Sequence, residues 1–174
     1  MKLLIAGLGS MGRRHLENLR RIEPGAQIIV WRQRANHEEA MAAPSVAAQV
    51  VYRLEDALAV EPTAALITNP ASLHVETALA FARRDIHLFI EKPLSNTLDG
   101  VDELLEECRR RRLTLLVGYS LRFCPSLQLI RQALSEGRIG RLLALRAAVG
   151  QFLPQWRPGS DYRQNVSART HLGG

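Results

Sequence analysis

The chain has 174 residues, of which 47% are hydrophobic and 23% charged, and its formal net charge is +6. This composition is typical of a folded globular protein and excludes an intrinsically disordered one. No apolar run approaches the roughly 18 residues of a membrane span, and with two cysteines and no export signal we expect a cytoplasmic protein without a membrane partner.

Short apolar runs alternate with helical patterns over the first two thirds of the chain. Strands are predicted at 2–6, 27–31, 48–52, 64–68, 86–91 and 114–118. Helices are predicted at 13–22, 36–43, 54–60, 73–84 and 97–112, with Asn36 and Glu39 as a capping box and Ser72 as a helix cap. This alternation predicts right-handed βαβ units in an α/β fold with a doubly wound parallel sheet, the Rossmann fold.

The pattern changes after Gly118. Pro125 near a first turn and Gly137 as a stop predict a helix at 124–140, and a looser apolar pattern predicts a strand at 141–152. We therefore expect a second α/β domain, of which only the beginning is present.

The two predicted domains are 1–120, the dinucleotide-binding Rossmann domain, and 121–174, an incomplete α/β domain. A short piece of sheet cannot bury its apolar face alone. Several apolar side chains should then be exposed, disordered or covered by another copy of the chain: Leu142, Ala144, Val149, Phe152 and Trp156.

The stretch "GLGSMG" at 7–12 lies between the first strand and the first helix, the context that makes a G-x-G-x-x-G motif specific for dinucleotides. Gly7 permits the tight turn, Gly9 allows a pyrophosphate to approach the backbone, and Gly12 lets the helix pack closely. Ser10 and Met11 belong to the same helix start, whose N–H groups would hold the diphosphate.

The second strand is followed by "WRQR", where an NAD site usually has a carboxylate for the ribose 2′-hydroxyl. Arg32 and Arg34 could instead hold the 2′-phosphate of NADP. The sequence therefore favours NADP over NAD slightly. The alternative is that both arginines are solvated and NAD binds without a carboxylate partner.

Two further stretches follow strands that end at the same edge of the sheet. Asn69, Pro70 and His74 follow the fourth strand and are candidate cofactor neighbours, although His74 could equally be a surface residue. Glu91 and Lys92 follow the fifth strand, where the ammonium group could stabilise charge on a substrate oxygen. The alternative is a salt-bridged pair in a turn; we expect no metal ligand.

The basic charge does not indicate a nucleic-acid partner. The densest run, at 109–112, closes a predicted helix, where it complements the helix dipole. Nearly all the cationic residues are arginines, and only Lys2 and Lys92 are lysines. Lys92 is therefore a candidate for chemistry that needs an ammonium group.

Three stretches together resemble the Gfo/Idh/MocA oxidoreductases: "AGLGSMGRRHLENL", "TNPASLHVETALAFARRDIHLFIEKPLS" and "VGYSLRFCPSLQLIRQALSEGRIGRL". The resemblance implies an enzyme that uses NAD(P) to oxidise or reduce a hydroxyl or keto carbon of a sugar-like small molecule. It implies that Lys92 is the active-site lysine, with Glu91 and Pro93 shaping its turn. It places Arg122 at a domain junction and Trp156 and Arg157 towards the nicotinamide.

The resemblance also bears on the ending "THLGG". The family pattern continues with a glycine-rich turn, an Asp and an acid/base His, and His171 does not fit that position. We therefore expect the chain to be the N-terminal part of an enzyme that forms homo-oligomers at full length. A non-catalytic dinucleotide-binding module or sensor is the alternative.

Overall fold

The computed structural model describes residues 1–32, 49–156, 159 and 161–173. The strands are β1 (Lys2–Ala6), β2 (Gln27–Trp31), β3 (Gln49–Val51), β4 (Ala64–Ile67), β5 (His87–Ile90) and β6 (Leu115–Val117). They form one parallel sheet in the order β3-β2-β1-β4-β5-β6. This is the strand order of the doubly wound Rossmann fold, which confirms the predicted fold class.

In the described part of the chain, four helices flank this sheet: α1 (Ser10–Ile22), α2 (Leu54–Ala59), α3 (His74–Ala82) and α4 (Val101–Arg110). Ser72 does not cap α3, because it lies within a 3₁₀ helix at Ala71–Leu73 and Leu73 takes the cap position. Gly100 was predicted to lie within the helix at 97–112, but it precedes α4. Its φ of +72° is left-handed, so the helix begins one residue later. The predicted capping box of Asn36 and Glu39 lies outside the described residues.

The central strands β1, β2 and β4 are buried on both faces, which explains why they are nearly continuous apolar runs. On one face, strand residues such as Leu4 and Ile67 pack with Phe81 of α3 and Leu104 of α4. On the other face, alternate residues of the same strands pack with Leu16 of α1. The two cores hold the strand ends, and therefore the loops that follow them, in fixed positions.

The chain divides into two compact units, Met1–Gly118 with Thr170–Gly174, and Tyr119–Arg169. The second unit contains α5 (Pro125–Ser135), which has Pro125 at its first position, and the short α6 (Leu153–Trp156). No helix among the described residues has the length and apolar character that would let it cross a bilayer.

The prediction of a strand at 141–152 is wrong. Residues 141–152 form neither strand nor helix, because no described segment pairs with them to satisfy their backbone hydrogen-bonding groups. The apolar side chains that we expected to lack cover are exposed where the structure describes them: Leu142, Ala144, Val149 and Phe152.

Candidate functional site

The candidate site lies at the carboxyl edge of the sheet. Ala6 of β1 lies opposite Trp31 of β2 and Ile67 of β4, and Ile67 lies opposite Ile90 of β5. The next residue of each strand continues the hydrogen-bond ladder, with the Gly7 amide donating to Trp31 O at 2.9 Å and the Glu91 amide to Ile67 O at 2.9 Å. The loops that carry the predicted site residues therefore start side by side.

The glycine turn between β1 and α1 is enclosed by backbone at two of its three glycines. Gly7 has a φ of +100°, and a Cβ there would lie 2.9 Å from the Asn69 amide nitrogen. A Cβ on Gly12 would lie 2.1 Å from the Gly7 carbonyl oxygen. A Cβ on Gly9 would meet nothing within 4 Å, so the space beside Gly9 is open to a ligand.

The start of α1 suits an anion. Gly9 is the N-terminal cap residue and provides no side chain to bond the first N–H groups, and the first turn contains no acidic residue. Ser10 is exposed and Met11 is half-buried. Helix N-termini carry partial positive charge and unpaired N–H donors, which suit a phosphate group. The open space at Gly9 and this helix start together fit the diphosphate of a dinucleotide.

Thr68 joins the loop after β4 to the glycine turn, and Asn69 joins the same loop to α3. The Thr68 hydroxyl donates to Gly7 O at 2.8 Å, and the Asn69 side-chain nitrogen donates to Thr77 Oγ1 at 2.8 Å. Asn69 Oδ1 is buried and has no hydrogen-bond partner among the described residues. Pro70 follows and is half-buried. This loop is therefore held against Gly7, with one amide acceptor unused.

His74 is buried, with 2% of its surface exposed, so its interpretation as a surface residue is wrong. Its Nδ1 lies 2.8 Å from Pro93 O and its Nε2 lies 2.9 Å from Asn69 O. Both ring nitrogens therefore face backbone carbonyl oxygens, and the nitrogen that bears the proton donates to one of them. His74 joins the loop after β4 to the turn after β5.

Glu91 is buried, and in the described part of the chain its carboxylate does not form a salt bridge with the Lys92 ammonium group. Its Oε1 lies 2.7 Å from His15 Nε2, and its Oε2 accepts from the Lys92 backbone amide at 3.2 Å. The Lys92–Pro93 peptide bond is cis. The Lys92 side chain is exposed, and within the described part of the chain its ammonium group has no hydrogen-bond or ion-pair partner. The ammonium group can therefore bind an oxygen of a ligand.

Sequence reasoning did not identify His15, Thr68 or Thr77. The spacing of His15 could have indicated it, because it lies three residues after Gly12 and four after Met11, on the same side of α1. No pattern in the sequence indicated the hydroxyl bonds of the two threonines: the Thr68 bond to Gly7 depends on strands brought together by the fold, and the Thr77 bond depends on how α3 follows Asn69.

The remaining predicted residues follow β2, belong to the second unit or lie outside the described residues. Arg32 follows β2, is buried at 8% exposure, and donates its backbone N–H to Val51 O at 2.9 Å. Arg34 and Arg157 lie outside the described residues. Arg122 is exposed on a 3₁₀ helix of the second unit, and Trp156 is the last residue of α6.

The segment Thr170–Leu172 forms a 3₁₀ helix that contacts the 3₁₀ helix Ala71–Leu73. A Cβ on the next residue, Gly173, would lie 3.0 Å from the Ala71 Cβ and 3.1 Å from the Asn96 Cβ. Ala71 follows β4 and Asn96 follows β5. Residues 170–173 therefore reach the same edge of the first unit as the predicted site residues.

Known proteins resemble the chain over most of its length. It is 29% identical over 164 residues to myo-inositol 2-dehydrogenase of Thermotoga maritima, covering 93% of this chain and 48% of that protein. It is 31% identical over 136 residues to UDP-N-acetylglucosamine 3-dehydrogenase of Acidithiobacillus ferrooxidans, covering 76% of this chain and 41% of that protein. The chain thus spans less than half the length of these two relatives.

A solved structure also shares the fold. The WlbA dehydrogenase of Bordetella pertussis, in complex with NADH and UDP-GlcNAcA, superposes with a TM-score of 0.73 at 24% identity, covering 81% of this chain and 41% of that one. The family model described as "Oxidoreductase family, NAD-binding Rossmann fold" matches residues 1–119. With its glycine turn, strand order and Glu-Lys-Pro turn at one edge, the chain belongs to the Gfo/Idh/MocA family of oxidoreductases.

Proposed function

We propose that the protein is an NAD(P)-dependent dehydrogenase that acts on a hydroxyl or keto carbon of a sugar, cyclitol or related small molecule. Residues 1–120 would form the dinucleotide-binding domain and residues 121–174 the beginning of the substrate domain. One observation carries the proposal: the glycine turn after β1 and Lys92 after β5 open at the same edge of the sheet, separated by β4.

The dinucleotide would lie across this edge. Its diphosphate would bind at the open side of Gly9, near the amides of Ser10 and Met11. The Asn69 amide oxygen is a buried acceptor without a partner among the described residues, and a donor from the cofactor would satisfy it. Arg122, Trp156 and Arg157 are proposed to lie towards the nicotinamide end, as the resemblance implies.

Arg32 supports a slight preference for NADP. It is the first residue after β2 and it is buried, at the position where NAD sites usually continue towards a ribose carboxylate. A guanidinium group there offers planar N–H donors that match phosphate oxygens. Arg34, two residues further, is proposed as a second phosphate partner.

The chemistry requires an oxygen-binding group beside the cofactor. The bound nicotinamide would supply the hydride donor or acceptor. Lys92 would donate a hydrogen bond to the substrate oxygen and stabilise negative charge on it while the hydride moves. Glu91, which accepts from the Lys92 backbone amide, would hold the turn in place.

The substrate class is proposed from the relatives, which are named for inositol and for UDP-N-acetylglucosamine. These compounds share adjacent secondary hydroxyl groups. We further propose a cytoplasmic enzyme that forms homo-oligomers, with no nucleic-acid partner.

The proposal is tested by measuring turnover with the complete protein that the gene encodes. Reduction of NADP⁺ and NAD⁺ is followed with myo-inositol and with UDP-N-acetylglucosamine. The Lys92→Met variant should retain dinucleotide affinity and lose turnover, whereas Lys2→Met, at the opposite edge of the sheet, should change neither. Dinucleotide binding without turnover on any polyol or sugar would instead favour a non-catalytic module or sensor.

A further inference from the structure

We propose that His15 is a positioning residue, which acts through Glu91 to fix the backbone at Lys92. By this contact the turn that carries Lys92 is held in a set position relative to α1, the helix whose start would hold the diphosphate. The inference rests on the proposed function, because it assigns His15 a role only if Lys92 serves the reaction.

The Glu91 carboxylate bridges the two elements with its two oxygens. Oε1 lies 2.7 Å from His15 Nε2, and Oε2 accepts from the Lys92 backbone amide at 3.2 Å. An ionised carboxylate can only accept, so Nε2 of His15 is the donor in this contact. A single side chain therefore connects the second turn of α1 to the residue that bears the ammonium group.

The surroundings leave the pair little freedom to move. The His15 ring meets the Phe89 ring edge to face, with centroids 5.1 Å apart and planes at 68°. A Cβ on Gly118 would lie 3.0 Å from Phe89 Cζ and 3.3 Å from Glu91 Oε1. The side chains of His15 and Glu91 are only 18% and 10% exposed. The contact is therefore packed on several sides and is not a solvated surface pair.

His15 is itself fixed relative to the glycine turn. The Arg13 amide donates to Gly9 O at 3.0 Å, which closes the first turn of α1. Gly12 packs so closely on Gly7 O that no Cβ fits between them. The glycine turn, His15, Glu91 and the Lys92 amide thus form a continuous series of contacts.

Loss of the His15 donor would leave Glu91 a buried carboxylate without its nearest partner. Breaking a buried pair by removing one partner is costly, because the remaining charge must find water or a new donor. Glu91 can do so by rotating its carboxylate outwards. That rotation withdraws Oε2 from the Lys92 amide and frees the backbone of the turn.

The freedom of the Lys92 backbone can be measured selectively, because the only lysines in the sequence are Lys2 and Lys92. Labelling with ¹⁵N-lysine therefore gives two backbone amide signals, one at the site and one at the start of β1. The matched variants are His15→Leu, which removes the donor, and His15→Gln, whose side-chain amide can donate to Glu91 from nearly the same place.

Hydrogen exchange of the two amides is measured without any dinucleotide. In His15→Leu the Lys92 amide should exchange about tenfold faster than in the wild type, as expected for the loss of a bond to a charged acceptor. His15→Gln should restore slow exchange, and the Lys2 amide should be unchanged in both variants. If His15→Leu does not fold, His15→Asn replaces it, because its shorter amide does not reach Glu91.

Equal Lys92 exchange in the wild type and in His15→Leu would overturn the inference. So would a fall in the free energy of unfolding in urea large enough to account for the faster exchange, since this would indicate general destabilisation. The exchange measurement uses the protein without dinucleotide, so its result does not depend on binding or turnover. Failure of dinucleotide binding or of turnover would contradict the proposed function, and the exchange rates would still test the role of His15.

Discussion

The Nδ1 atom of His74 lies 2.8 Å from the carbonyl oxygen of Pro93, and this contact ties the start of α3 to the turn after Lys92. The other ring nitrogen lies 2.9 Å from Asn69 O. Two loops of the candidate site are therefore joined by one buried imidazole. Changes at His74 should act on both loops together.

Replacement of His74 by Phe should destabilise the first unit. The substitution keeps an aromatic ring but removes the ring N–H, so that the backbone carbonyl oxygen to which His74 donates, that of Pro93 or of Asn69, loses its donor. Each unpaired buried polar group costs about 1–3 kcal/mol. The free energy of unfolding, measured in urea, should fall accordingly, while His171→Ala on the exposed tail should leave it unchanged. A His74→Phe variant as stable as the wild type would show that the contacts contribute nothing.

The glycines should separate folding from binding. Gly12→Ala places a Cβ 2.1 Å from Gly7 O, so the variant should lose roughly 1–3 kcal/mol of stability or more through overpacking. Gly9→Val meets no atom within 4 Å at its Cβ, so the melting temperature should hold while dinucleotide affinity is lost. Gly25→Ala, also in open space, is the control for both measurements. Normal binding by Gly9→Val would place the diphosphate elsewhere.

Much of the fold could be predicted from the sequence because the central strands of the sheet are buried on both faces. Its strands are continuous apolar runs, and their ends lie within one residue of the predictions. The strand expected at 141–152 failed because apolar content alone does not make a strand, which also needs a neighbour with which to pair. Ser72 failed as a cap because Pro70 O accepts from the Leu73 amide and starts a 3₁₀ turn first.

Cofactor preference should respond to Arg32. The Arg32→Asp variant removes a guanidinium group that could bind a 2′-phosphate and adds an acceptor for a 2′-hydroxyl. The ratio of NADPH to NADH affinity should therefore shift towards NADH. Arg84→Asp, exposed after α3, changes the net charge equally and should leave the ratio unaltered. A wild-type protein that prefers NADH would contradict the role of Arg32.

The two thiols should react at different rates. Burial, and then the Glu107 charge, raise the pKa of Cys108. The Ser126 hydroxyl, and then the Leu127 backbone amide, lower the pKa of Cys124. Since the thiolate is the nucleophile, iodoacetamide should label Cys124 first and at lower pH.

The labelling is measured by mass spectrometry of the two peptides from about pH 6 to about pH 9. Cys124→Ser should remove the fast phase and keep the slow one. Equal rates at every pH would contradict the difference in environment.

Acid should weaken the end of α4. The Arg110 guanidinium, and then that of Arg111, lower the pKa of Glu107 below its ordinary value of 4.5. The carboxylate therefore stabilises the folded state above that value, and the contribution is lost as the pH falls through the lower folded-state pKa.

Glu107→Gln should accordingly lower the melting temperature near neutral pH, with the difference from the wild type shrinking towards about pH 3. Glu17→Gln, an exposed position on α1, is the control and should show no such pH dependence. A difference that is constant with pH would indicate that charge is not the cause.

The candidate site was predictable where it follows strand ends. Gly7 was identified from its G-x-G-x-x-G motif, and Asn69 and Glu91 because the carboxyl ends of parallel strands meet at one edge. The partners of these residues were not predictable, because His15, 76 residues before Glu91, becomes its neighbour only through the packing of α1 on the sheet. The sequence likewise left His74 open between surface and site; its burial excludes the surface position, and its role in the site stays a prediction.

Calorimetric titration of NADP(H) and NAD(H) into the chain tests the central claim most directly. The open space at Gly9 and the uncapped start of α1 predict that the folded protein binds at least one dinucleotide, with NADP(H) the tighter, and that Gly9→Val abolishes the binding heat. A folded sample that binds neither dinucleotide would contradict the account, because the "GLGSMG" turn would then not be a cofactor site.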